Sequence, residues 1–312
     1  MADYLHNHAQ FADLLRIVAE AQEIDAALVE KDYWIMHGLH GLQQLGISFE
    51  LKGGTSLSKG LGIIHRFSED IDIRIEPDAS VATGRNHTKA QHVASREAFY
   101  DGLAGKIAID GVTAVERDRL FDDARFFSGG IRLRYPTVGE PIDGLKDGIL
   151  LEVGFANVQP NAPRTISSWA YDQAAASGVE VIDNRAVDVP CYHPGYTLVE
   201  KLQAISTKFR QQQAGGEFPP NFMRHYYDVF CLLQDPQVQT FIGTAAYHAY
   251  KKDHFPTADN LVIAENDAFG LSDPDTRAAL ADAYKRSAAL YYRGQPPFDD
   301  LLSEIGRWAD RL

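Results

Sequence analysis

The stretch Lys52-Gly53-Gly54-Thr55-Ser56-Leu57-Ser58-Lys59, followed after a short spacer by Arg66-Phe67-Ser68-Glu69-Asp70-Ile71-Asp72, decides how this chain is read. Phe49 to Leu51 has the composition of a short strand, and the glycine pair ends it. Two glycines permit tight backbone geometry, and Thr55 or Ser56 is positioned to cap a following helix. N–H groups at such a helix start point at an anion, aided by the helix dipole. An ordinary strand–turn–helix corner has the same composition. Beyond it, Ile71, Ile73 and Ile75 alternate with Asp70, Asp72 and Arg74, the period of two of a half-buried strand. That alternation puts Asp70 and Asp72 on one face. Two like charges there repel, and a hard divalent cation offsets them; Mg²⁺ typically takes one or two carboxylates plus substrate phosphates. A solvated outer strand face would show the same pattern. The acidic strand follows the glycine turn by one short helix, and that location favours the first reading, since a phosphate cradle beside a metal clamp would suit phosphoryl transfer.

Further motifs extend or limit this reading. No GxxxxGK[ST] loop occurs: Gly105-Lys106 is followed by Ile107. Ser56-Leu57-Ser58-Lys59 satisfies an S-x-x-K pattern, but the K-T-G-like strand that should accompany it is absent. A third carboxylate should come from a neighbouring strand. Glu152, the lone charge in Leu150-Leu151-Glu152-Val153-Gly154-Phe155, is either that group or a core-edge glutamate paired with Arg132 or Arg134. In the C-terminal part, Lys201 sits in Thr197-Leu198-Val199-Glu200-Lys201-Leu202 and Asp228 in Arg224-His225-Tyr226-Tyr227-Asp228. A lysine there suits a nucleotide's β- or γ-phosphate as a compact positive charge, and Asp228 could orient it or act as a base. The alternatives are plain surface charges and an i,i+4 pair between Arg224 and Asp228.

Composition sets the frame. The chain has 312 residues, 45% of them hydrophobic, enough for two domains with sizeable cores. A net charge of −13 argues against binding nucleic acid through bulk electrostatics, though a local basic groove on an acidic body stays compatible with it. Only Cys191 and Cys231 occur, without CxxC spacing, which fits a reducing cytosol without structural zinc. The N-terminal segment lacks signal-peptide character and no apolar run would span a bilayer, so a cytoplasmic protein without membrane partners is expected.

Helical spacing is expected from Phe11 to Val18, from Asp25 to Leu45 and from His87 to Leu103, with strand signals at Phe126–Tyr135 and Ile149–Val158. Past Val189 the pattern is helical: Pro194 opens a helix through Arg210, then come Phe222–Leu233, Val238–Lys251, Asp275–Tyr292 and Phe298–Leu312. The expected architecture is an α+β domain with N-terminal helices over residues 1–189, followed by a helical domain over 190–312 that carries Lys201 and Asp228.

Lys52 to Asp72 resembles the first two motifs of the abortive-infection AbiEii/AbiGii nucleotidyltransferase-toxin family, within the DNA polymerase β-like superfamily. Lys201 in its apolar helix resembles the third motif, and Arg224-His225-Tyr226-Tyr227-Asp228 the fourth. Val29-Glu30-Lys31-Asp32-Tyr33-Trp34 is similar to a segment that commonly precedes the first. The likeness spans roughly Val29 to Leu233. It implies a nucleotidyltransferase-type mixed sheet with flanking helices. It implies nucleotide contacts from Gly53, Gly54, Ser56 and Lys59, a set that Thr55, Arg66 and Ser68 extend. It further implies Mg²⁺ on Asp70 and Asp72, and essential roles for Lys201 and Asp228. Glu152 stands where the wider superfamily usually has aspartate. The biological expectation is the toxin of a toxin–antitoxin pair, with a cognate antitoxin protein as partner. It would use a nucleoside triphosphate and transfer the nucleotide to RNA, with the tRNA 3′ acceptor end favoured. Lys208, Arg210, Arg224 and His225 are candidates for a basic acceptor groove, and Arg132 and Arg134 for phosphate contacts. The alternatives are a protein or small-molecule acceptor, or a nucleotide-binding regulator without turnover.

Overall fold

The computed structural model describes residues 2–84, 86–139, 146–219 and 221–312. Two compact units divide the chain. The first comprises Met1–Leu61 and Phe67–Tyr192, the second Gly62–Arg66 and His193–Leu312.

In the first unit, helices α1 (Phe11–Gln22) and α2 (Ala26–Gln44) precede the sheet. Asp25 starts α2, its carboxylate accepting the Ala27 N–H at 2.9 Å. Then come β1 (Glu50–Lys52), the helical turn α3 (Gly53–Thr55) continuing as the wider turn Ser56–Gly60, β2 (Asp70–Arg74) and α4 (Ala90–Lys106). The unit is completed by β3 (Ala114–Asp118), β4 (Ser128–Arg134), β5 (Ile149–Gly154), β6 (Asn161–Ile166), α5 (Trp169–Ala176) and β7 (Ala186–Tyr192). The strands form one mixed sheet in the order β3-β4-β5-β2-β1-β7-β6. The β2–β5 and β1–β7 pairs are parallel and the others antiparallel.

Alternation along β2 buries Ile71 and Ile73 fully on one face. Each such side chain removed from water contributes about 2 kcal/mol. Ile131, Leu133, Leu151 and Val153 bury with them. Helix α2 lies against this face: a Cβ on its Gly38 would stand 3.6 Å from Ile71 and Leu133. Unlike an amphipathic surface helix, α2 is buried almost all round from Leu28 to Leu42. Its charged residues Glu30, Lys31 and Asp32 therefore need internal partners. The acidic positions of β2 stand on the opposite face of the sheet.

The second unit is helical. His193 accepts the Gly195 N–H at 3.1 Å and Pro194 opens α6 (Pro194–Gln213). Helices α7 (Arg224–Gln234), α8 (Pro236–Phe241), α9 (Ala245–His254), α10 (Asp267–Gly270), α11 (Pro274–Arg286) and α12 (Phe298–Trp308) follow. Helix α6 packs against α7, α8, α9 and α10, while α12 packs on α7.

The structure corrects several expected elements. The single helix expected over Val238–Lys251 is two, α8 and α9, because Gly243 takes φ +83° between them and Thr244 caps the second. The helix expected to reach Tyr292 stops at Arg286. Strand structure continues through Tyr192, past the Val189 limit, and β3, β6 and α5 were not anticipated. Among the described residues, no helix is long and apolar enough to cross a membrane.

Candidate active site

Gly53 takes φ +69°, and a Cβ there would lie 2.0 Å from Asp72 Oδ2. The glycine is needed for two reasons: L side chains disfavour that backbone, and the Asp72 carboxylate occupies the space a side chain would fill. Thr55 Oγ1 donates to the Asp70 carbonyl at 2.6 Å, fastening the turn to β2. Neither Thr55 nor Ser56 caps the helix as expected. The N-cap position is Lys52, with no side-chain cap bond, and both hydroxyl residues are buried.

The acidic residues meet through strand register. Asp72 stands opposite Lys52 of β1 on one side and Glu152 of β5 on the other. Asp70 shares their face, one pleat along β2. Burial raises the Asp70 carboxyl above its ordinary value, although Lys146 Nζ lies 2.7 Å from Asp70 Oδ2. Asp70 Oδ1 is buried and has no hydrogen-bond partner among the described residues. Burial, then the charges of Asp72 and Asp70, push Glu152 up to about 8. Arg132 binds Asp118 with its Nε at 2.8 Å, and Arg134 contacts Glu116 and Asp147. Glu152 therefore belongs with the aspartates, and both arginines proposed for phosphate contacts carry carboxylates.

This donor set fits a hard cation. It consists of carboxylate oxygens, one of them a buried oxygen without a hydrogen-bond partner among the described residues, and their mutual repulsion is what Mg²⁺ would relieve. Among the described residues, no group of three or more His, Cys, Asp or Glu side chains could hold a metal ion, so any cation here would rest on the two aspartates. A two-aspartate platform completed by water and phosphate oxygens is the arrangement Mg²⁺ favours.

Helix α2 braces the site with three consecutive charges whose roles were not anticipated. Glu30 accepts the N–H groups of Val138 and Gly139, at 2.8 and 3.4 Å. Lys31 Nζ lies 3.6 Å from Glu69 and donates to the Lys146 carbonyl. Burial lowers the Lys31 ammonium to about 8. Asp32 takes Lys59 at 2.8 Å and accepts the Trp169 N–H at 2.8 Å. Lys59, expected at the nucleotide, is thus held by Asp32 with its ammonium 4.4 Å over the Trp169 ring. Ser68 is half-buried. A run of three charges inside an otherwise apolar helix was the available signal for this brace.

The second unit holds a separate cluster. Arg66, expected at the nucleotide, is buried and grips Asp228 with two hydrogen bonds of 2.7 Å. Lys201 Nζ lies 2.9 Å from Asp228 Oδ2. Burial pushes the fully buried Asp228 carboxyl up, but Arg66 and Lys201 outweigh it and hold it well below the usual range. A carboxylate so held is a poor base and a good anchor. Lys208 Nζ sits 2.8 Å from His225 Nε2, and burial together with Lys201 and Lys208 keeps that imidazole neutral. Arg210 is engaged by Asp259.

The model of the family described as nucleotidyl transferase AbiEii toxin, type IV toxin–antitoxin system, matches residues 36–304. Among solved structures, the chain is similar to the nucleotidyltransferase toxin MenT4 of Mycobacterium tuberculosis at 16% identity and TM-score 0.42, covering 86% of this chain and 97% of that one. It is also similar to an antigenic nucleotidyltransferase-like protein of Paracoccidioides brasiliensis at 13% identity and TM-score 0.33, covering 73% and 95%. Comparison with curated proteins gives no match. The family match takes in Gly53, Asp70, Asp72, Glu152, Lys201 and Asp228 together, and the chain belongs to the AbiEii nucleotidyl transferase toxin family.

Proposed function

We propose that this protein is a Mg²⁺-dependent nucleotidyltransferase that uses a nucleoside triphosphate and modifies RNA, with the tRNA 3′ acceptor end as its target. The observation that carries this reading is the Asp70/Asp72 pair on one strand face, with Asp72 filling the space that Gly53 leaves open. Asp70 and Asp72 would hold the metal, which when bound supplies positive charge to the phosphates and the leaving group. Backbone N–H groups of the Gly53-Gly54 turn bind phosphate oxygens, and Glu152 orients the acceptor hydroxyl beside Asp72. In the transfer, the acceptor oxygen bonds to the α-phosphorus, the bond to pyrophosphate breaks, and the hydroxyl proton passes to solvent. In the helical unit, Asp228 and Arg66 fix Lys201 as a compact cation suited to phosphate.

The RNA acceptor follows from family likeness. With a net charge of −13, its binding would rely on a local patch and weaken steeply with salt. The test is incubation with total tRNA, Mg²⁺ and each radiolabelled nucleoside triphosphate in turn, beside Asp72→Ala. Label on tRNA with the natural protein alone supports the reading and names the nucleotide. Label on a protein band would move the acceptor to protein. Equal label with both proteins would remove Asp72 from the mechanism.

A further inference from the structure

Lys146 was not among the expected site residues, yet among the described residues its ammonium is in direct contact with the acidic pair, 2.7 Å from Asp70 Oδ2. Its backbone is pinned from both sides. The Lys146 N–H donates to Glu69 Oε2 at 2.9 Å, and its carbonyl accepts from Lys31 Nζ. Glu69 and Lys31 are both buried and lie 3.6 Å apart, so the residue starts from a fixed point. The side chain itself is one-third exposed, with the ammonium 4.9 Å over the ring of Phe121. A fixed backbone and a partly solvated ammonium allow the charge to leave Asp70 without unfolding anything.

Charge balance gives a reason for it to be there. Asp70, Asp72 and Glu152 share one sheet face, and among the described residues Lys146 and, opposite Asp72, Lys52 act on Glu152, while buried Lys31 acts on Asp70 from the side of helix α2. With no metal bound, three neighbouring carboxylates would drive one another apart or take up protons. One ammonium on Asp70 offsets part of that repulsion. A divalent cation on Asp70 then meets a positive charge within contact distance of the same carboxylate, a repulsion that only withdrawal of the lysine relieves.

We propose that Lys146 is the resident counter-ion of Asp70, which a divalent cation must displace, so that metal alone binds weakly and enters best accompanied by the triphosphate's negative charge. The displaced ammonium, tethered at its backbone, then has phosphate oxygens within the site to pair with. This inference rests on the reading of Asp70 and Asp72 as the metal carboxylates.

The test is binding of Mn²⁺ to nucleotide-free protein, followed by loss of the free-ion paramagnetic resonance signal. Lys146→Met, which keeps the stem and removes the charge, should bind Mn²⁺ about tenfold more tightly than the natural protein. Lys146→Arg, which keeps the charge, should stay near the natural affinity, and Asp72→Asn should abolish binding in either background. Lys146→Gln repeats the measurement should circular dichroism show the methionine variant misfolded. Equal or weaker Mn²⁺ binding in the neutral variants, with the natural protein still binding through Asp72, would overturn the role of Lys146 alone. No binding by any of them would overturn the metal reading, and this inference with it.

Discussion

The two charged clusters are built on opposite balances. On the sheet face, Asp70, Asp72 and Glu152 stand together with the Lys146 ammonium in direct contact with Asp70, and burial, then the neighbouring aspartates, push Glu152 up to about 8. Around Asp228 a single carboxylate meets a guanidinium and an ammonium and is held well below its ordinary range. The first cluster gathers three carboxylates with a single ammonium seen in direct contact among the described residues. The second is satisfied within its own unit, and its buried pairs hold Lys201 in one place. A site that must receive something carries unspent charge, whereas one that positions a residue is internally complete.

Four substitutions break or sharpen this contrast. Asp72→Ala should lower nucleotide transfer by on the order of 10⁴-fold, about 5.5 kcal/mol of barrier, with the circular dichroism spectrum unchanged. Substantial residual transfer would mean that the sheet-face charge is not spent on chemistry. Asp228→Ala does the reverse, removing the buried carboxylate that Arg66 and Lys201 share, and should cost about 3–5 kcal/mol in urea unfolding. A loss too small to measure would show that this cluster is solvated rather than sealed.

Gly53→Ala places a methyl group against the Asp72 carboxylate in a left-handed backbone. It should cost about 1–3 kcal/mol in thermal or urea unfolding and lower transfer as well, since the carboxylate must move. The smallest effect expected is a gain. Because folded Glu152 holds its proton up to about 8, against an ordinary 4.5, the folded state binds more protons between those values and stability falls as pH rises through them. Glu152→Gln removes that slope, so metal-free variant and natural protein should agree near pH 4.5. They should diverge by about 1–2 kcal/mol in favour of the variant at pH 8 and above. Parallel stability curves would show that neither burial nor the neighbouring aspartates raise the third carboxyl.

Much of this was legible along the chain, because it is written in short-range patterns. Alternation of Ile71 and Ile73 with Asp70 and Asp72 placed β2 correctly, and Asp25 and Pro194 marked true helix starts. The motif order pointed to the family that the match over residues 36–304 shows. Strand β3, Ala-Val-Glu-Arg-Asp, and strand β6, with Pro163 at its centre, were missed because edge strands lack two buried faces to pattern them. The helix expected over Val238–Lys251 takes in Gly243, whose positive φ splits the segment.

The amino-acid sequence by itself determined which chemistry was available: a glycine turn, two same-face aspartates, and a lysine and an aspartate on helices. Local periodicity and residue type suffice for that. Only tertiary structure decided which charges neutralise which. Arg66 pairs with Asp228 across 162 positions, Lys59 with Asp32, and Lys146 with Asp70 across 76. Long flexible cations reach whichever carboxylate the fold buries beside them. That choice depends on desolvation and register, which no window of sequence contains.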